Sequence, residues 1–207
     1  MFDITNPFIA NLLARQIAVN DGDYGSYIEL LYSELLRCFA KLEEEANQHS
    51  GKDETGVSSA VMMFLEGARY PCSTETNSNG HVDLTVEEGG FKWLGEAKIH
   101  KGNEWTYHGF DQLVANYSTG RPNACRGSII VYNMKKRKNS VQCAEEWREY
   151  VKNMPLDIEC SDYQHDGYFD MVLPIHPRSG APYHIRNFFV NLQYTPSKEL
   201  GGKADKK

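Results

Sequence analysis

No run of eighteen apolar residues occurs in this chain, so no membrane-spanning helix is expected. The opening Met1-Phe2-Asp3-Ile4-Thr5 has neither a basic region nor a long apolar stretch. It does not read as a signal peptide, and a cytoplasmic location is the expectation. Cys-x-x-Cys spacing is absent: the five cysteines, Cys38, Cys72, Cys125, Cys143 and Cys160, are scattered and odd in number. That argues against a zinc knuckle or a disulfide framework and for reduced packing residues. Excess positive charge is missing too. Lys and Arg total 22 against 28 Asp and Glu, a net charge of −6, which disfavours a protein that coats nucleic acid through bulk charge. The basic charge present concentrates in Lys135-Lys136-Arg137-Lys138, readable as a solvated loop or as an edge that contacts phosphate. There is no internal repeat, and no zinc finger or clear helix-turn-helix to read a base sequence.

The 207 residues, 41% hydrophobic and 24% charged, suit one soluble domain with a sizeable core. We assign that domain to 1–196 and a polar, Gly- and Lys-rich disordered tail to 197–207. Residues 1–23 look irregular, with Asn6-Pro7 and Asp21-Gly22-Asp23 as breakers. Tyr27, Leu30, Leu31, Leu35, Phe39 and Leu42 recur at three- and four-residue intervals and predict an amphipathic helix from 24 to about 47. A second helix is predicted over about 53–66, with Asp53 or Thr55 as its cap and Val57, Ala60, Val61, Phe64 and Leu65 as its buried stripe. A strand over 69–73, a helix from 105 or 108 to 117, and an apolar strand over 128–132 are also predicted. A helix over 144–154 and strands over 168–175 and 183–194 complete the chain, extending the sheet or forming an oligomer surface.

The stretch richest in chemistry is Gly80-His81-Val82-Asp83-Leu84-Thr85-Val86, followed by Phe91-Lys92-Trp93-Leu94-Gly95-Glu96-Ala97-Lys98. Both pieces read as strands, and Glu87-Glu88-Gly89-Gly90 closes them into a hairpin. Alternation points Val82, Leu84 and Val86 one way and Asp83 and Thr85 the other. Glu96 and Lys98 share a face with Lys92, Leu94 and His100, so pairing brings the carboxylates of Asp83 and Glu96 beside the Lys98 ammonium. Two carboxylates at about 4 Å repel by about 4 kcal/mol at an effective dielectric of roughly 20, which makes the pair more sensible around a cation. Asp83, Glu96 and the backbone carbonyl of Ala97 would offer oxygens to Mg²⁺ or Mn²⁺. Lys98 would orient an attacking water or offset transition-state charge. That is the minimum equipment for metal-assisted phosphodiester hydrolysis. His81 and His100 fall on the faces of Asp83 and Glu96 and would allow a histidine-containing site. The rival reading is a surface salt-bridge cluster on a half-exposed hairpin.

Asp, a dozen intervening residues, then Glu-x-Lys at the end of an apolar strand resembles the PD-(D/E)XK nuclease superfamily, which includes restriction endonucleases, repair nucleases and many antiviral effectors. Val82 stands here before the aspartate, a position often held by proline. The resemblance implies an α/β fold with a restriction-endonuclease-like core over about 53–133. That core is a helix, a three-stranded meander, a second helix and a strand, to which this chain adds an N-terminal helix and a C-terminal strand pair that extends the sheet. It implies Asp83, Glu96 and Lys98 as catalytic residues and Asp83, Glu96 and Ala97 as ligands of Mg²⁺ or Mn²⁺. Glu54, on the helix before the meander, is the candidate for a further acidic ligand; a first-turn carboxylate that merely suits the helix dipole is the alternative. Many members carry Gln-Leu-x-x-Tyr on the following helix, with the glutamine near the active site. Here Gln112-Leu113-Val114-Ala115-Asn116-Tyr117 brings the tyrosine one residue late. Asn116 takes its usual place and shares a helix face with Gln112. The implied function is a metal-dependent DNA endonuclease, with antiviral defence among the implied roles, working as a homo-oligomer or with partner proteins. The alternatives are an RNA-directed nuclease and a catalytically inactive nuclease-fold binding or assembly module.

Overall fold

Two of the expected breakers are helix boundaries. In the computed structural model, which describes residues 6–77, 80–135 and 137–194, helix α1 spans Pro7–Asp21. The Asn6 side chain caps it by accepting from the Phe8 N–H at 2.9 Å, and Gly22 leaves it at φ 70°. Proline just inside a helix start and glycine just past its end is the ordinary polarity of helix signals. The expectation of an irregular 1–23 is therefore corrected from residue 7 onward. Arg15, only 2% exposed, anchors α1: it donates to the Arg69 carbonyl at 2.7 Å, pairs with Glu88 at 3.2 Å and lies over the Tyr70 ring.

The predicted helices follow as α2 (Tyr24–Glu44), the single turn α3 (Ala46–His49) and α4 (Glu54–Gly67, capped by Asp53). Strand β1 (Cys72–Asn77) starts later than expected, because α4 runs to Gly67 and Arg69 adopts φ 66°, which no strand tolerates. Strands β2 (Gly80–Glu88) and β3 (Phe91–Ile99) form the predicted hairpin. Helix α5 (Asn103–Asp111) continues as a π-helical turn over Gln112–Tyr117, and β4 (Arg126–Asn133) follows. Helix α6 (Ser140–Lys152) begins earlier than expected, where Asn139 and Gln142 form a capping box. An unexpected two-residue strand, β5 (Glu159–Cys160), precedes β6 (Tyr168–Leu173) and β7 (Tyr183–Asn191). The proposed tail at 197–207 lies outside the described residues.

All seven strands form one mixed sheet in the order β1-β2-β3-β4-β7-β6-β5. The β3–β4 and β4–β7 pairs are parallel and the other four are antiparallel. The C-terminal pair thus extends the sheet beyond β4, as predicted. Helices cover both faces. Trp93, Ala97, Ile130, Tyr132 and Phe188 pack against α1, α2 and α4; Leu94, Ile129, Val131, Ile185 and Phe189 pack against α5 and α6. Strand β4 is buried almost throughout, as expected for a strand paired in parallel on both sides and covered on both faces. Among the described residues no helix is long and apolar enough to cross a membrane.

Candidate active site

Asp83 sits at a break in the β2 ladder. Opposite β1, the register advances by two residues from Ser73 to Glu75 while β2 advances by three, from Thr85 to Val82. That is a β-bulge, which re-aims the side chains around it. Val82 consequently leaves the face of its neighbours: it packs in the cluster of Leu94 and Phe110, whereas Leu84 and Val86 pack in that of Trp93 and Ala97. The expected common face for Val82, Leu84 and Val86 is corrected accordingly. The β2–β3 ladder runs from Glu88↔Phe91 to Leu84↔Gly95. Beyond it the Asp83 side chain takes over, its Oδ2 accepting from the Ala97 N–H at 2.9 Å. N–H and C=O of one strand residue leave on the same edge, so the Ala97 carbonyl also points toward Asp83.

Glu96 and Lys98 are placed by β3 and desolvated by β4. In the parallel register they lie beside Ile129 and Val131, and their exposures are only 1% and 6%. Lys98 Nζ donates to Glu96 Oε1 at 2.6 Å and lies 3.5 Å from Glu54 Oε1. Glu96 Oε2 is buried with no hydrogen-bond partner. Burial first, and Asp83 second, push the Glu96 carboxyl up to about 8, more than Lys98 offsets. Burial would lower the Lys98 pKa, but Glu96, then Glu54 and Asp83, outweigh it and raise it. Lys98 is therefore held as an ammonium at neutral pH, beside a carboxyl whose proton affinity burial and Asp83 raise.

Glu54 reaches this group from the first turn of α4, and its Oε2 accepts from the Ile99 N–H at 2.8 Å. Its contacts serve Lys98 and the end of β3. Gln112 lies on the π-turn, which brings the late tyrosine within reach of it. The turn's i→i+5 spacing absorbs the extra residue, so Gln112 Nε2 faces the Tyr117 hydroxyl at 3.5 Å. Burial, then Glu96, raise the Tyr117 pKa, which places the phenol within the field of the carboxyl group. The Asn116 backbone carbonyl accepts from Arg178 at 3.0 Å. The His81 side chain lies outside the described residues. His100 lies one step past β3, in a recess beside Lys101 and Lys135.

Gly109, which carries no motif, packs directly on the lysine and glutamate stems. A Cβ there would stand 3.0 Å from Lys98 Cγ, 3.2 Å from Lys98 Cε and 3.3 Å from Glu96 Cγ. A glycine within the α5 pattern was the available signal, since glycine inside a helix marks either a weakness or a close approach.

Among the described residues no cluster of three or more His, Cys, Asp and Glu side chains is arranged to hold a metal ion. The Asp83 and Glu96 carboxylates and the Ala97 carbonyl are nonetheless oxygen donors of the class that Mg²⁺ and Mn²⁺ take. The unpartnered Glu96 Oε2 is the atom such an ion would satisfy.

Other polar pairs lack the required geometry. Ser118 Oγ and His176 Nε2 lie 2.8 Å apart in the core, like a nucleophile and its base. Yet His176 Nδ1 accepts from the N–H groups of Arg178 and Ser179 at 3.2 and 3.4 Å. The proton must then sit on Nε2, so the ring donates to Ser118 and cannot activate it. Two larger cavities lie elsewhere: one of about 530 Å³ beside Phe39, Glu43 and Tyr163, and one of about 750 Å³ between α1 and α2. Neither is lined by Asp83, Glu96 or Lys98. Compared with known proteins, the chain matches no family model, no curated protein and no solved structure.

Proposed function

We propose that this chain is a divalent-metal-dependent nuclease with a restriction-endonuclease-like core, hydrolysing phosphodiester bonds in DNA. The observation that carries this reading is the bulge at Asp83. It sets one carboxylate on the Ala97 amide and opposite the buried Glu96, whose second oxygen has no partner, beside the Lys98 ammonium. The order helix, antiparallel meander, helix, parallel strand around these residues supports it further.

In this reading Asp83, Glu96 and the Ala97 carbonyl hold Mg²⁺ or Mn²⁺. The ion, when bound, polarises a phosphoryl oxygen and lowers the pKa of a water. The chain's own residues do the rest. Glu96 and Glu54 hold the Lys98 ammonium in one position, from which it donates hydrogen bonds to the attacking water or to a phosphoryl oxygen as charge develops. Ile129, Val131 and Gly109 keep the site dry on its inner side and strengthen each electrostatic contact there. Gln112 and Tyr117, joined through the π-turn, supply neutral hydrogen-bonding groups at its margin. Oligomeric assembly or a protein partner would supply the sequence selection for which the chain has no recognisable module.

Incubation with plasmid DNA, single-stranded DNA and RNA across a Mg²⁺ and Mn²⁺ titration tests the proposal. Cleavage of DNA that falls by about 10²-fold or more in Asp83→Ala and Lys98→Ala is expected. Metal-independent binding without product would favour the inactive binding module, and product from RNA alone would reassign the substrate.

A further inference from the structure

Past the candidate active site, β3 and β4 end together in a cationic recess of about 200 Å³. It is lined by His100, Lys101, Asn133, Lys135, Arg137 and Lys138. Four cations in one small recess run against the chain's net charge of −6. Lys138 is engaged by Glu146 and Lys101 lies over the Trp105 ring. Lys135 and Arg137 are exposed, and among the described residues neither has an ion pair. Lys136 lies outside the described residues.

The floor holds unspent hydrogen-bonding capacity. Asn133 is 1% exposed, and both its Oδ1 and His100 Nδ1 are buried without a partner. The walls are held in place. Asn133 Nδ2 donates to the Lys138 carbonyl at 2.9 Å, and Gln193 Nε2 donates to the Lys135 carbonyl at 2.7 Å. The basic loop is therefore pinned at two backbone positions before any ligand binds.

Strand periodicity ties the recess to the site. His100 follows Lys98 by two residues and Asn133 follows Val131 by two, and Lys98 and Val131 are register partners. Both floor residues thus lie on the sheet face of Glu96 and Lys98, about 7 Å further along at about 3.3 Å per residue. The cavity is smaller than the roughly 300 Å³ at which small-molecule pockets begin. Its size and charge suit a single phosphate with the edge of its sugar.

We propose that this recess seats a backbone phosphate of a nucleic-acid strand, next to the phosphate presented to Lys98. Its place beside the scissile group rests on the nuclease reading; the binding itself does not. Lys135 and Arg137 supply the charge, and the fixed loop supplies the position.

The test is fluorescence anisotropy of the full chain with labelled duplexes of DNA and of RNA, in EDTA so that no cleavage intervenes, at several salt concentrations. The Lys135→Ala/Arg137→Ala double variant changes only exposed side chains. For it we expect weaker binding, and a plot of log K against log salt shallower by about 0.9 for the lost phosphate contact. Arg121→Ala, at the opposite end of β4, should keep the parent's slope. The arm that responds, DNA or RNA, identifies the source of the phosphate. A double variant with the parent's affinity and slope in both arms overturns the proposal, as does a parent that binds neither duplex. Cleavage in Mg²⁺ by a parent whose double variant binds unchanged sinks the recess and leaves the nuclease reading standing. Recess-dependent binding without cleavage does the reverse.

Discussion

Raising the pH should weaken this fold at one residue, and a divalent ion should reverse the loss. The Glu96 carboxyl is held up to about 8 from an ordinary value of 4.5, by burial and then by Asp83. Between those two values the folded chain keeps a proton that the unfolded chain has released. Unfolding free energy therefore falls as pH climbs from 4.5 toward about 8, and the loss is complete above that. At about 1.4 kcal/mol per pH unit, the difference amounts to roughly 5 kcal/mol. For a chain of this size each kcal/mol moves Tm by about 2–4 °C, so a difference of roughly 10 °C or more is expected. Burial lowers the pKa values of His49, His100, His176 and His184. Their contribution has the opposite sense, being lost as pH falls through the ordinary histidine range. Thermal melts of the parent and of Glu96→Gln from pH about 5 to about 8.5 cancel the histidines and leave the Glu96 component. The parent should lose Tm relative to the variant as pH rises. Mg²⁺ or Mn²⁺ should flatten the parent's decline and leave the variant's unchanged. Parallel declines would mean that Glu96 does not hold the proton, and equal stabilisation of both proteins at every pH would move the ion away from Glu96.

The remaining expectations use the same scale. Arg15→Ala should destabilise by about 3 kcal/mol in urea unfolding, because it leaves the Ala68 and Arg69 carbonyls without their donor and takes the cation from Glu88, which keeps Gln16 and Tyr27; a change within about 0.5 kcal/mol would mean that α1 is dispensable. Gly109→Ala should leave Tm close to the parent's, since alanine gains about 1 kcal/mol of helix propensity. Its Cβ should nevertheless press on Lys98 and cut cleavage by about tenfold or more; unchanged cleavage would show that the lysine stem can yield. Glu96→Gln/Lys98→Met should abolish cleavage with stability unchanged or raised by about 1–4 kcal/mol, as when buried ion pairs are replaced by matched neutral groups. Marked destabilisation would assign the pair a structural role.

Periodicity made the helices and the central strands legible: α2 and α4 carry the predicted stripes, and β3 and β4 the predicted apolar runs. What stayed hidden came from single residues with two meanings. Asn6-Pro7 and Gly22 stop a helix or frame one, and the docking of α1 through Asn11, Arg15 and Ala18 selects the second. The bulge at Asp83 has no sequence mark, because it arises from pairing with β1, and alternation alone therefore puts Val82 on the face of Leu84 and Val86. The late Tyr117 was visible in the sequence, but the π-turn that brings it level with Gln112 depends on packing over β3. The convergence of acids and amine was readable from spacing. The orphaned Glu96 oxygen was not, because burial by Ile129 and Val131 belongs to the tertiary register.

The molecule contains its own comparison for the salt-bridge alternative. Arg186 and Asp170 form a pair whose purpose is architectural. Both carboxylate oxygens are used, at 2.7 and 2.9 Å, and the guanidinium is held between the rings of Tyr32 and Tyr168. Asp170 keeps substantial exposure to water, so little desolvation opposes the pairing. The Glu96–Lys98 pair reverses each of these choices. It is almost fully buried, it sets three carboxyl groups against one ammonium, and it leaves one oxygen without a donor. A fold gains no stability from that arrangement that a buried Gln–Met pair would not match. The excess negative charge and the open oxygen would become favourable with a divalent cation between Asp83 and Glu96, and that asymmetry is the argument for the proposed ligand-completed site over a structural cluster.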